Sequence, residues 1–454
     1  MKSQLITKTL TTILLLLICK FNFAQTTSDT GKFAFSLQQA VDFAMKNQIQ
    51  VQNAAYDEEI ARQKVKETIG IGLPQINGSV SAQDFLKVPT SVIPAKAFNP
   101  YASDDEYVAV QFGIQYSATA GIEASQLVFS SDYLVGLQAT KTYLELSRKA
   151  SQRTRIETNV AVTKAYYSVL LNEERMRLID ANVIRLKKLM DDTKALNVNG
   201  IVEKIDLDRI TLAYNNLITE KDKIQKMMEL GNSLLKFQLG MKQSASLALT
   251  DKLADVKFTL DLSADKFDYG KRVEYSLLQT QKNAAQLFLK QNRLHYLPMA
   301  VLFGNASANA YSSKFDFFDV KKGWYPTILI GGKISLGIFD GLQTHRKIQQ
   351  SKLEVLKAEN NLKMLEQGID LELVSSRTNL LNAASNLEVQ KKNIELAEGI
   401  YKSAKLKYEQ GVGSNLEVMN AETSLKEAQT NYFSALYDAL ISKIDYEKAS
   451  GNLK

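Results

Sequence analysis

Tyr408-Glu409-Gln410-Gly411-Val412-Gly413-Ser414-Asn415-Leu416-Glu417-Val418-Met419-Asn420-Ala421 is a break between two helical runs. A long amphipathic run enters it, glycines interrupt the run, and a second run leaves. An earlier copy reads Leu196-Asn197-Val198-Asn199-Gly200-Ile201-Val202-Glu203-Lys204-Ile205-Asp206-Leu207-Asp208. Both stretches read as tips of helical hairpins. Two such tips in one chain point to a doubled fold.

Working outward, the doubling extends well beyond the tips. Phe129, in Ser125-Gln126-Leu127-Val128-Phe129, corresponds to Phe339, in Ser335-Leu336-Gly337-Ile338-Phe339. Gly200 corresponds to Gly411 at nearly the same offset, and Leu73-Pro74 finds a counterpart in Leu297-Pro298. The period is far longer than that of short solenoid repeats, so each copy is half a protein. Residues 241–268 resemble neither half and join them.

The runs flanking the tips are long. The six prolines are Pro74, Pro89, Pro94, Pro100, Pro298 and Pro326. A proline costs about 3 kcal/mol inside a helix, so the proline-free stretches leave room for extended helices. From Ser36 to about Thr68, Leu37, Ala40, Val41, Ala44 and Met45 follow helical spacing. From about Asp132 to Leu196, Ile156, Val160, Tyr167, Leu170, Leu178 and Leu186 recur at threes and fours. That is on the order of 100 Å of helix. The run from about Leu342 to Tyr408 repeats the pattern with Leu353, Leu362, Leu380, Leu387 and Ile394. Helices of this length pack on one another as a coiled coil or barrel wall rather than around a compact core.

The proline-bearing stretches read as strands. Val108, Val110, Phe112, Ile114 and Tyr116 alternate with small or polar residues, and so, less cleanly, do Ile328, Ile330, Ile334, Leu336 and Ile338. Weaker partners at about Gln75–Leu86 and Met299–Ala310 complete two hairpins, with loops at about 87–106 and 311–324. Phe85, Tyr101, Tyr107, Tyr311, Phe315, Phe317, Phe318, Trp324 and Tyr325 gather near the loops. In a membrane barrel these would form the interfacial girdle. In a soluble sandwich the same alternation would mark a half-buried sheet. Counting strands separates the two. Single-chain membrane barrels begin at about eight strands, so four per chain demand several copies.

Met1 to Ala24 has the anatomy of a secretory signal, with Lys2 and Lys8 ahead of Ile13-Leu14-Leu15-Leu16-Leu17-Ile18 and a cleavage site around Phe23-Ala24-Gln25. Removing it takes Lys2, Lys8 and Lys20, so the net charge of +7 falls to +4 and nothing demands nucleic acid. Cys19, the only cysteine, goes with it, and bulky Ile18 argues against a lipoprotein site. The remainder has no disulfide, thiolate metal site or thiol nucleophile. Past the signal, no stretch is apolar for the ~20 residues a spanning helix requires. Outer membrane strands are the other way to satisfy backbone groups in lipid. An enzyme finds no support either. His295 and His345 are the only histidines, and G-x-S-x-G, phosphate-loop and H-E-x-x-H motifs are all missing. No cofactor or metal is implied.

The opening Ser36-Leu37-Gln38-Gln39-Ala40-Val41, the Leu-Pro pair, the Phe129/Phe339 pair and the tail from Tyr408 through Leu416-Glu417-Val418-Met419-Asn420-Ala421 to Asn431-Tyr432 occur in this order and duplicated. In this the chain resembles the TolC-like outer membrane efflux proteins over essentially the whole mature sequence. The resemblance implies an α+β membrane protein. Long helical hairpins would form a periplasmic tunnel, and three chains of four strands would build one outer membrane barrel of about twelve strands. The expected domains are a signal (1–24), a first repeat (25–240, hairpin 75–121, long helices 130–240), an equatorial linker (241–268) and a second repeat (269–454, hairpin 297–338, long helices 341–450).

It further implies the exit duct of a tripartite efflux or type I secretion system. The partners would be a homotrimer, a periplasmic adaptor (membrane fusion) protein, an inner-membrane pump and outer membrane lipid. The family's gate falls on Glu417, Asn420, Tyr408 and Asp206, and a basic gate position falls on Gly413, which has no side chain. The tips Gly200, Ile201, Val202, Gly411, Val412 and Gly413 would dock the adaptor. Read without the family, Glu417 is an acid on a first helical turn, where negative charge is favoured anyway. A threefold carboxylate ring in a narrow throat would attract cations and could bind a divalent ion through oxygen. The alternative is an exported periplasmic coiled-coil adaptor or structural protein. An adaptor should have one hairpin flanked by β-rich domains, not two copies each joined to a strand pair.

Overall fold

A computed structural model of the chain describes residues 32–111, 113–256, 258–260, 267–317 and 323–453. The expected signal, Phe112, Phe318 and residues 261–266 of the linker lie outside them. In chain order the elements are β1 (Lys32–Phe35), α1 (Leu37–Asn47), α2 (Ile49–Ile71), β2 (Gln75–Asp84), β3 (Thr90–Pro94), β4 (Tyr107–Gln111), β5 (Tyr116–Phe129), α3 (Ser131–Val198), α4 (Lys204–Leu239), β6 (Ser246–Leu249), α5 (Val273–Leu294), β7 (Met299–Ser312), β8 (Tyr325–Ser335), α6 (Gln343–Glu409) and α7 (Asn415–Ala449). The α3 and α6 helices contain 68 and 67 residues, as the proline-free stretches predict. No described helix is long and apolar enough to cross a membrane.

The chain forms two compact units. One draws on Met1–Gln48, Val162–Lys257 and Leu396–Phe433, the other on Ile49–Ala161, Phe258–Glu395 and Ser434–Lys454.

The second unit holds a sheet in the order β2-β5-β7-β8, antiparallel throughout. Cross-strand partners share a face, so the register sorts the residues. The row Ile76, Ala124, Gly304, Ile330 is apolar, and its neighbour Gly78, Ile122, Ala306, Ile328 is too. The opposite face carries Asn77, Glu123, Asn305, Leu329 in one row and Ser81, Thr119, Asn309 in another. There Thr119 Oγ1 donates to Asn309 Oδ1 at 2.9 Å, and Asn309 Nδ2 donates to Thr327 Oγ1 at 3.2 Å. One face is greasy, the other polar, and Ile330 on the greasy face is 84% exposed. Aromatic rings meet at the far end, where Phe315 contacts Tyr116 and Phe317, and Tyr311 contacts Tyr325.

Several expectations need correction here. The alternating run 108–117 is two strands: Val108 and Val110 lie on β4, while Tyr116 opens β5. Gly113, at φ 143°, turns the chain between them. The β4 strand pairs as a separate hairpin with β3, which lies inside what reads as the loop 87–106. The true partner of β2 is β5, which runs on to Phe129. Leu336 and Ile338 lie beyond β8, which ends at Ser335. The expected helix 36–68 is broken at Gln48, whose ψ of 126° is extended.

The first unit contains a small parallel sheet that hydropathy does not reveal. Strand β6, within the 241–268 joining segment, pairs with β1 along Lys32–Phe35. The Ser36 side chain then caps α1 in a capping box with Gln39. The fully buried Tyr166 of α3 places its hydroxyl 2.8 Å from Asp251 Oδ2 and 3.0 Å from the Phe35 carbonyl. Burial pushes this phenol well above the ordinary tyrosine value, and the Asp251 carboxylate reinforces the effect. The α3/α4 pair packs through Ile179, Leu186, Ile210 and Leu217.

Candidate functional site: the paired helical tips

Both tips belong to the first unit and share one backbone solution. At the end of α3, Ile201 N–H donates to Leu196 O at 3.0 Å and Gly200 N–H to Asn197 O at 2.9 Å. At the end of α6, Val412 N–H donates to Lys407 O at 3.0 Å and Gly411 N–H to Tyr408 O at 3.0 Å. These are matching Schellman closures, with the left-handed position taken by Gly200 (φ 70°) and Gly411 (φ 75°). The next helices start at equivalent places. Glu203 precedes α4 and Ser414 precedes α7, and Ser414 Oγ accepts from Glu417 N–H at 3.2 Å. Asp206 and Glu417 therefore occupy the same first-turn position in the two copies, where the exposed N–H groups favour an acid.

Within one chain, no hydrogen bond or ion pair joins any two of Asp206, Tyr408, Glu417 and Asn420 among the described residues. Asp206 faces Arg209 on its own helix at 3.8 Å. Glu417 and Asn420 are exposed. The Tyr408 hydroxyl is buried and makes no hydrogen bond among the described residues. Gly413 has a structural reason for lacking a side chain: an added Cβ would lie 2.9 Å from both Lys407 Cβ and Tyr408 N. The docking candidates Ile201 and Val412 are exposed apolar side chains, and Val202 accepts from Asn197 Nδ2 at 2.9 Å through its carbonyl.

Tyr408 lines a cavity of about 150 Å³ together with residues the sequence reading missed: Arg185, Tyr401 and Glu422. Arg185 Nε on α3 donates to Glu422 Oε1 on α7 at 2.8 Å, its Nη2 donates to Asn182 Oδ1, and its guanidinium lies 5.8 Å from the Tyr401 ring centroid. Burial raises the Tyr401 phenol, the Glu422 charge adds to this, and Arg185 opposes it. One sequence signal was available. Arg185 and Asn182 sit within the apolar positions Ile179, Val183 and Leu186, where a polar residue usually serves pairing specificity. Among the described residues, no cluster of three His, Cys, Asp or Glu side chains could hold a metal ion.

The family described as "Outer membrane efflux protein" matches residues 299–452. The probable efflux pump outer membrane protein TtgC of Pseudomonas putida is 24% identical over 347 residues, covering 74% of this chain and 69% of the relative. The outer membrane protein TolC of Vibrio cholerae is 18% identical over 343 residues, covering 74% and 77%. The open-state crystal structure of the Neisseria gonorrhoeae outer membrane channel MtrE superposes with a TM-score of 0.73 at 16% identity, covering 91% of this chain and 88% of that one, and so shares its fold. Residues 299–452 thus match the outer membrane efflux family, and with its duplicated tips and two-faced sheet the chain as a whole is similar in fold to the TolC-like outer membrane channels.

Proposed function

We propose that the chain is an outer membrane exit duct that passes efflux substrates out through the outer membrane, and that it works as a homotrimer. The carrying observation is the β2-β5-β7-β8 sheet, greasy on one face and polar on the other. A sheet built this way suits lipid outside and water inside. Among the described residues its outer strands β2 and β8 each present one unpaired edge. Unpaired backbone is untenable in lipid, so closure by further copies follows. An apolar groove on the same unit, lined by Tyr56, Ile60, Tyr143 and Phe288, offers a second surface for another copy. The relatives are outer membrane proteins, and a periplasmic adaptor finds no support among them.

In this reading the tips are the gate and the adaptor contact. Three copies bring six tips together, with Glu417 and Asp206 as carboxylates around the throat and Ile201 and Val412 as apolar contacts for an adaptor. The adaptor and an inner-membrane pump complete the tripartite system, and residues 1–24 direct export. Fractionation tests the proposal. The full chain should appear in the outer membrane as a heat-sensitive, detergent-dependent trimer that forms pores in planar bilayers. A detergent-free monomer would refute it.

A further inference from the structure

Two helices of the second unit are apolar on both sides. On α2, Val51, Ala61 and Thr68 are buried, while Ile49, Tyr56 and Ile60 are exposed. At about 100° of turn per residue, the exposed three form one stripe on the far side of the helix from the buried three. On α6, Leu362, Ile369 and Leu380 are buried, and Leu353, Leu356 and Met364 form the exposed stripe opposite them. One apolar stripe of each helix is satisfied by its own chain, and the second calls for a partner.

The strand order says which partner. In the sheet β2-β5-β7-β8 the outer strands are β2 and β8; α2 leads into β2, and α6 follows β8. Where β8 of one copy closes against β2 of the next, α6 arrives beside the next copy's α2. The two run in opposite directions, α2 toward the sheet and α6 away from it. Their stripes lie at matching levels. Counted from the sheet end of α2, Ile60, Tyr56 and Ile49 lie about 16, 22 and 33 Å along the helix. Counted from the sheet end of α6, Leu353, Leu356 and Met364 lie about 15, 20 and 32 Å along it. The flanking charges are complementary. Asp57 and Lys357 each lie about 21 Å from the sheet end, on the same rotational side of their stripes, and those sides meet in an antiparallel pair. Asp57 is exposed and has no ion-pair partner among the described residues, where Lys357 reaches only Glu354 on its own helix, at 3.7 Å.

We propose that the exposed stripe of α2 is a docking surface for a second copy of this chain, whose α6 stripe occupies it. Leu353 seats on Ile60, Leu356 on Tyr56 and Met364 on Ile49, with Lys357 facing Asp57. Tyr56 and Ile60 also wall the apolar groove described above, and the incoming leucines cover it from that side. The inference rests on the homotrimer reading and adds to it which helix faces meet, in which direction and at which level.

Cross-linking in the full-length protein tests it, since the only native cysteine is Cys19, in the expected signal. Under mild oxidation the double variant Ile60→Cys with Leu353→Cys should migrate as three covalently joined chains on a non-reducing gel. Neither single variant should do so. Nor should Ile60→Cys with Leu371→Cys, whose α6 position lies about 42 Å from the sheet end. Independently, Asp57→Lys or Lys357→Glu should each shorten the half-life of the heated trimer about three-fold, and the two together should restore it. Where a cysteine pair prevents assembly, this charge exchange decides. A pore-forming trimer that does not cross-link through residues 60 and 353, or cross-links as readily through 60 and 371, overturns this inference alone. So does a charge-exchanged double variant no more durable than the single ones. Absence of both trimers and pores in wild type overturns the reading beneath it.

Discussion

Arg185 Nε and Glu422 Oε1 stand 2.8 Å apart, and Glu422 Oε2 is buried with no hydrogen bond among the described residues. The Glu422 side chain is 12% exposed, and Arg185 is its ion-pair partner. Breaking a buried pair from one side leaves an uncompensated charge and costs about 3 kcal/mol. Arg185→Ala should therefore destabilise the chain by about that amount in denaturant unfolding, while Arg185→Met with Glu422→Leu should recover most of the loss. The same pair joins α3 of the first hairpin to α7 of the second, so Arg185→Ala should also raise resting pore conductance. A single variant as stable as wild type would remove the pair from the tip's support.

Glu417 is exposed, at the first turn of α7. Its substitution by alanine should change stability by less than about 1 kcal/mol, the scale of a helix-terminus charge. Assembly should be intact, while cation selectivity and divalent-cation block in planar bilayers should fall. Unaltered conductance, selectivity and block would reject the gate role.

Tyr166→Phe removes the hydroxyl that sits between Asp251 and the Phe35 carbonyl. The ring stays and the packing with it, so the loss is the buried hydrogen bond, about 1–3 kcal/mol. Asp251 Oδ2 still accepts from Leu37 N–H at 2.9 Å. Hydrogen exchange should rise along β1 and the start of α1 before the rest of the chain. Uniform acceleration would instead indicate that the hydroxyl supports the whole unit.

Gly411 and Gly413 are close in sequence and differ in constraint. A Cβ at Gly411 meets open space, so Gly411→Ala should cost about 1 kcal/mol, for the left-handed backbone alone. At Gly413 the Cβ collides with Lys407 and the Tyr408 backbone, and the α6 end must move. Limited proteolysis at the tip and thermal unfolding should rank Gly413→Ala as the more disruptive. The reverse ranking would contradict the tip's geometry.

Much of this architecture was legible because its signals are local. Proline placement exposed α3 and α6, and the repeated glycine break exposed both tips. The β1/β6 pairing was invisible, because a four-residue strand whose partner lies some two hundred residues away leaves no periodic trace. The run 108–117 misled for the opposite reason: alternation is a property of each strand, and it continues across a turn without saying which strand pairs with which.

The sequence by itself determined the two longest helices, the duplication and the glycine turns of the tips, since spacing, proline and glycine act through the nearest turn of backbone. Only the tertiary structure decided the register of β2, β5, β7 and β8, and with it the division into a greasy and a polar face. It also decided that Arg185 meets Glu422, and that Tyr408 and Asp206 do not meet within one chain. Those outcomes depend on which residues from distant turns and strands come face to face, and a slip of one residue in register would exchange the two faces.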